Sequence, residues 1–351
     1  MKLTHLKMTS PVKKIMVAIM ICLPVWAHAQ DENDLVNFLG AGKEDAKVLM
    51  TAYLNPVIEG VSYGFNGGWF HTAKAHKSLG FDLGVSVNAV FIPSSKNFFD
   101  PASLDLQTDV DFSSTSSNGL APTIAGPAEE TTYDVDVDGD NQVDATFNGP
   151  QGLDFKDQFK VSGVLSPTIQ LGIGVYKNTD LKIRWMPEVS TGGSKLKFFG
   201  IGVMHDIKQH IPGIKLLPFD LSILVGYTNI KGSTGFEGPF NKPANDQRRQ
   251  MIDYNMDAWI FQALISKKIA VVTFYGGIGY NTIKTTSDVT GSYIVPGFQA
   301  PFTDPVSMSF KNNSMRVTAG MRFNLGPVYL NGDYTLQEYS TVSVGLGATV
   351  R

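Results

Sequence analysis

The residues best suited to chemistry form an acidic run, Asp134, Asp136, Asp138 and Asp140, with Gly139 inside it and Asp144 beyond. Carboxylates at alternate positions followed by glycine can wrap oxygen ligands around a hard cation, as at the start of D-x-D-x-D-G calcium loops. A full EF-hand loop places Glu at its twelfth position; here Ala145 stands there, and Asp144 falls one residue short. Two readings follow. One is a calcium loop outside the EF-hand pattern; the other is an acidic, solvated hairpin turning at 138–141, with Val135, Val137, Val143 and Phe147 packing. Calcium is the one cofactor these residues suggest.

A second set of charges alternates with apolar neighbours: Lys182, Arg184, Asp220, Arg316, Arg322 and Asp333, with Asn331 beside the last. In a closed sheet they share the inward face, where they either pair with one another to fill and stiffen the interior or line a water path. The histidines beyond the leader are His71, His76, His205 and His210. Each pair is five apart, which is not the i, i+4 spacing of a helical zinc site. All four are expected in periplasmic connections, away from the outward wall where a barrel hydrolase needs its Ser and His, so no catalytic residue is assigned and an enzyme is not expected. The stretch from His205 to Pro212 reads as a short interfacial helix, with Ile207 and Ile211 on one side and Lys208 snorkelling.

The elements that must carry these residues begin with an export signal. Residues 1–29 read as a secretory signal peptide: Lys13 and Lys14, an apolar stretch from Ile15 to Val25, then Ala27-His28-Ala29 as a small-x-small cleavage site. Cys22, the sole cysteine, leaves with it, so the mature chain is expected to have neither disulfides nor thiolate chemistry. The leader carries four lysines and no acid, which turns a net charge of -3 more acidic in the mature chain and excludes nucleic acid as a partner. Only 17% of the 351 residues are charged, against about 25% in ordinary globular chains.

Residues from Asp31 to Pro56 read as helical, closed by Asn55-Pro56. From Leu79 onward the period is two: Leu79, Phe81, Leu83, Val85, Val87, Ala89 and Phe91 alternate with Gly80, Asp82, Gly84, Ser86 and Asn88. The same pattern recurs to Val350. A soluble sandwich would put Lys, Glu and Asp on its non-apolar faces; here those faces are mainly Gly, Ser, Thr and Asn, on strands long enough for a tilted membrane crossing. The predicted fold is an all-β, transmembrane antiparallel barrel. Ten strands are readable after residue 78, and a hairpin in the insert brings the count to about 12, within a range of about 10–14. Trp69, Trp185, Tyr227, Tyr254, Trp259, Tyr280 and Tyr339 are expected at interfacial girdles.

Short and long connections fall on opposite sides, as they do in barrels with short periplasmic turns and long external loops, except that Ser190 to Lys195 is short but external and His205 to Pro218 is longer but periplasmic. Strand parity then makes the insert 92–158 extracellular. It leaves two options for the front of the chain: a plug threading the lumen, with Val61 to Phe70 running inward as a weak strand candidate, or a periplasmic helical flap. The domains are thus a signal peptide at 1–29, a helical plug or flap at 30–60, and a barrel at 61–351.

This pattern resembles the outer-membrane β-barrel proteins of Gram-negative bacteria. Within them, the helical lead-in, Leu54-Asn55-Pro56 and the following Gly64 and Gly67-Gly68 resemble the lumenal hatch of the long-chain fatty-acid transporter family. That resemblance implies an N-terminal plug and passage of hydrophobic molecules. The expected location is the cell outer membrane, with outer-membrane lipid, the barrel assembly machinery and small hydrophobic solutes as partners. The expected function is a narrow channel or transporter; the alternative is a structural or surface-interaction barrel with a calcium-stabilised external loop and no transport.

Overall fold

The computed structural model describes residues 34–107, 109–114, 119–136, 140, 142–155, 163–191, 193–235, 243–296 and 298–350. The expected leader lies outside them. Ten antiparallel strands close into one barrel: β1 (Phe81–Phe91), β2 (Gly163–Gly174), β3 (Thr179–Thr191), β4 (Ser194–Asp206), β5 (Asp220–Gly235), β6 (Met251–Ile269), β7 (Val272–Thr290), β8 (Val306–Leu325), β9 (Val328–Leu336) and β10 (Thr341–Val350). Each pairs with its neighbours in sequence, and β1 meets β10 from Phe81↔Val350 to Val90↔Thr341. One rim carries the long connections (the loop end) and the other mostly tight ones (the turn end). At the turn end, Lys177 and Asn178 adopt positive φ of 45° and 54°, the geometry of a two-residue type I′ hairpin.

The alternation along β8 is unbroken, but its chemistry reverses halfway. Near the turn end Met315, Val317, Met321 and Phe323 are exposed on the outside while Arg316, Thr318 and Arg322 are buried inside. Near the loop end Met308 and Phe310 are buried inside, and Ser307, Ser309, Lys311 and Asn313 face out. The neighbouring strands agree: Trp259, Phe261, Ile278 and Tyr280 are exposed toward the turn end, whereas Met256, Ile283 and Val289 are buried toward the loop end. The wall is therefore apolar outside over one half of its height and apolar inside over the other. Tyr227 and Trp259 pack together on the outward face, 4.9 Å between ring centroids. Trp69 and Tyr339, expected in the same girdle, are buried instead.

One joint is incomplete. β2 and β3 pair over only five positions, Gln170↔Arg184 to Gly174↔Asp180. Beyond these lie Pro167 and Pro187, each lacking a backbone N–H, and β3 is irregular between Met186 and Val189. Prolines in sheets are confined to edges and bulges for this reason.

The lumen is filled by the front of the chain. A short helix α1 (Asp34–Asn37) and a 3-10 turn lead into α2 (Lys43–Phe65), which packs against β1, β2 and β8. The sequence reading ended the helix at Pro56; α2 continues nine residues past it. Proline removes one helical hydrogen bond and usually stops a helix in water, but here the wall surrounds the helix, and Val57, Gly60, Tyr63, Gly64 and Phe65 are all buried. The weak strand candidate from Val61 to Phe70 is accordingly the end of this helix followed by irregular chain. The hairpin expected to bring the barrel toward twelve strands belongs elsewhere: Asp109–Ser114, Thr131–Asp136 and Ala145–Asn148 form a separate three-stranded sheet.

Candidate functional site

The buried side chains of the lumen are organised around the segment that fills it. At the loop end the insert seals it. Phe38 meets Tyr53, Tyr133 and Phe147 edge-on at centroid distances of 6.0, 5.7 and 6.4 Å, and the Tyr53 hydroxyl donates to the Gln151 carbonyl at 2.7 Å. Burial in this cluster pushes the Tyr133 phenol above its ordinary range. Lower down, α2 lies directly on β2: a Cβ at Gly64 would collide with the Ser166 side chain, and one at Gly60 would touch Val164 at 3.4 Å. These glycines let the helix approach the wall closely.

Two arginines meet the carboxyl end of α2. From β3, Arg184 Nη1 donates to the Phe65 carbonyl at 3.2 Å and its Nε to Gln170 Oε1 at 2.9 Å. From β8, Arg316 Nη1 donates to the Asn66 carbonyl at 3.2 Å and to Asn281 Oδ1 at 3.4 Å. Cations are favoured there because the last helical carbonyls lack partners and carry the negative end of the helix dipole. The Arg184 guanidinium also stacks on Trp69 at 3.8 Å. The paired glycines Gly202 and Gly226 sit against the same indole; a Cβ would come within 2.7 and 2.9 Å of it. Small inward residues here make room for the plug.

Beyond Trp69 the chain is held by histidine–carboxylate contacts. His71 Nε2 lies 2.8 Å from Asp82 Oδ2, and Arg322 Nη1 donates to His71 Nδ1 at 2.8 Å. Arginine can only donate, so His71 accepts at Nδ1 and gives its Nε2 proton to Asp82. The Tyr329 hydroxyl donates to the same carboxylate at 3.2 Å, and Arg322 stacks on its ring at 3.9 Å. His76 uses both its backbone N–H, at 2.8 Å, and Nδ1, at 2.9 Å, on Asp180. These histidines lie in the connection between α2 and β1 and are buried there.

Of the residues expected to face the lumen, Lys182, Arg184, Arg316, Arg322 and Asp333 are buried inside. Asp220 sits half-buried at the turn-end rim. Asp333 accepts from the Tyr275 hydroxyl at 2.9 Å. Mutual charge pairing describes this interior only in part, since Arg184 and Arg316 bind carbonyl oxygens of the plug. Sequence reasoning missed Trp69, His71, His76, Asp82 and Asp180 as a set. Asp82 and Asp180 were detectable, because they share strand parity with the small and polar inward residues of β1 and β3.

The described acids of the acidic run have partners within their own segment. Asp134 Oδ1 accepts from the Thr146 hydroxyl at 2.6 Å. Asp140 accepts from the Gln142 backbone N–H at 2.8 Å and from its side chain at 3.2 Å. Asp138 lies outside the described residues, among which no three carboxylate, histidine or cysteine side chains group to hold a metal. The helix expected from His205 to Pro212 is also replaced: β4 runs through Asp206, and a single 3-10 turn, Lys208–His210, follows.

A profile described as "Family of unknown function (DUF6588)" matches residues 8–350. No curated protein matches the chain. Among solved structures, similarity extends to the attachment invasion locus protein Ail of Yersinia pestis: 10% identity, 78% of this chain and 97% of that one, TM-score 0.25. The translocator domain of the autotransporter NalP from Neisseria meningitidis gives 11% identity, 86% and 95% coverage, and a TM-score of 0.31. The outer membrane protease OmpT from Escherichia coli gives 10% identity, 78% and 95% coverage, and a TM-score of 0.30.

Proposed function

The chain belongs to the DUF6588 family, whose function is unknown, and from that premise we propose that it is an integral outer-membrane β-barrel. It acts without catalysis as a narrow, plug-gated channel or transporter for small hydrophobic molecules. The observation that carries this reading is the outward apolar belt. On β8 it runs from Met315 to Leu325, matching the roughly 9–11 residues of a tilted membrane strand. Water would penalise that surface, whereas hydrocarbon accepts it, and a closed ring leaves no unpaired edge for lipid to meet. Among the described residues no helix is long and apolar enough to cross a membrane, so any crossing falls to the strands.

Gating follows from the filling. About eight strands enclose a space that side chains alone can fill; ten enclose more, and α2 with the chain through His76 helps to fill it. Outer-membrane lipid, the barrel assembly machinery and a hydrophobic solute are the partners this reading implies. The test is paired conductance in planar bilayers. The intact protein should be closed to ions, and a variant lacking residues 34–70 should conduct. A deletion variant that inserts yet stays closed would overturn the gating, and a mature chain that is monodisperse without detergent would overturn the membrane reading.

A second reading is a sealed barrel that displays its insert, favoured by the separate three-stranded sheet of that insert. There calcium would be held by the acidic run from Asp134 to Asp144. Solute-independent closure together with calcium-dependent protease protection of residues 109–148 would select it.

A further inference from the structure

The contact between His205 and His210 at the turn end carries a separate inference. His205 is in the last two residues of β4, where it pairs with Thr179 of β3 and Ile223 of β5. The following 3-10 turn folds the chain back, closed by the His210 N–H donating to the Ile207 carbonyl at 3.1 Å. A spacing of five residues, unsuited to one helix face, therefore brings two imidazoles together. Their Nε2 atoms are 3.0 Å apart and the rings are inclined by 28°. His210 is exposed and His205 half-buried.

We propose that His205 and His210 form a two-imidazole site for a borderline divalent cation, of the Cu2+, Ni2+ or Zn2+ class, with water completing the coordination. Metal–imidazole bonds of about 2.0–2.1 Å put two nitrogens about 2.9 Å apart at a right angle and about 3.3 Å apart in a tetrahedron. The observed separation lies between those values, but ring centroids 5.3 Å apart put the two Nε2 atoms head-on, so each ring must turn by about 35–45° to aim its lone pair at a shared ion. The outer partner is already placed: Thr179 Oγ1 lies 2.8 Å from His205 Nδ1. With the Nδ1 proton donated to that hydroxyl, the Nε2 lone pair of His205 is left facing the site, the arrangement that orients metal-binding histidines. The frame around it is tied down, since Gln209 Nε2 donates to the Lys177 and Asp206 carbonyls at 3.0 and 2.8 Å. Two neutral nitrogen ligands favour Cu2+ over Ni2+ and Zn2+. The site stands whether or not the lumen conducts.

The experiment is titration of the untagged, mature protein in detergent with Cu2+ alone in a non-chelating buffer, read by calorimetry and by electron paramagnetic resonance. Wild type should bind one Cu2+ per chain with coupling to two imidazole nitrogens. His205→Ala and His210→Ala should each reduce binding to the level of the double variant. Thr179→Val should keep both ligands but weaken binding by about tenfold. All variants should keep heat-modifiable gel migration, which reports the folded barrel. Equal Cu2+ uptake by wild type and a folded double variant would overturn the proposal, as would no uptake by wild type or coupling to a single nitrogen.

Discussion

The two halves of the wall use one strand pattern to opposite ends. Toward the turn end, β6 to β8 turn large apolar residues outward and hold arginine, threonine and glycine within; toward the loop end, the same strands bury methionine, isoleucine and phenylalanine and present serine, asparagine and lysine outside. The change needs no bulge and no register slip along β7 and β8, which pair without interruption from Val272↔Phe323 to Val289↔Val306. Residue type alone changes the medium that each face suits. Period-two alternation thus specifies a strand, whereas the identity of the greasy side specifies its surroundings.

Paired substitutions can break this contrast. The largest effect is expected for Phe310→Ala, which empties a packed interior site and should cost about 3–5 kcal/mol. Phe323→Ala, outward on the same strand, should cost far less, because lipid or detergent fills the space; denaturant unfolding in vesicles measures both. Next is a buried charge in the belt. Ile278→Arg should cost about 2–4 kcal/mol near the bilayer midplane, while Ser309→Arg should stay within about 0.5 kcal/mol. If the two cost the same, the belt does not meet lipid.

Smaller effects sharpen the picture. Arg316→Met leaves the Asn66 carbonyl without its charged donor and should ease local opening of the plug by about 1–3 kcal/mol, read as faster hydrogen exchange at residues 64–70 with global stability less affected. The smallest change should come at the loop end, where Arg248 donates to Asp246 at 2.5 Å and to Ser292 at 2.7 Å. The hydrogen bond from Arg248 holds the Asp246 carboxyl below the usual carboxylate range. A depressed folded-state value means the stabilisation is fully present above the unfolded carboxylate pKa of about 3.9 and declines as pH falls from there toward the lower folded-state value. Exchange protection of residues 244–250 should therefore fade below about pH 4 in wild type and be absent at all pH values in Asp246→Asn.

Much of this was legible in the sequence. Alternation from Leu79 onward gives the strands, and parity places Lys182, Arg184, Arg316 and Arg322 inside, while for the front of the chain it leaves a lumenal plug and a periplasmic flap both open. The reversal on β8 was also written in Ser307, Ser309 and Lys311 against Met308 and Phe310, although alternation read by polarity alone passes over it. The partners were not legible. His76 and Asp180 are 104 residues apart and Arg322 and His71 are 251 apart, and a backbone carbonyl at a helix end leaves no trace in residue type. Pro56 misled because a proline's cost is judged for a helix in water, and this one is enclosed. The closeness of His205 and His210 was not legible for a related reason, since a five-residue spacing separates them on a helix and the chain there is a strand followed by a tight turn.

The filling segment enters β1 at the turn end while α1 lies at the loop end, so the chain crosses the lumen once before the first strand of the wall. The ring closes only when its first strand meets its last, and by then it must encircle its own opening segment. On the membrane reading proposed above, a sheet that curled shut around a chain already lying across it would close and seal in one event.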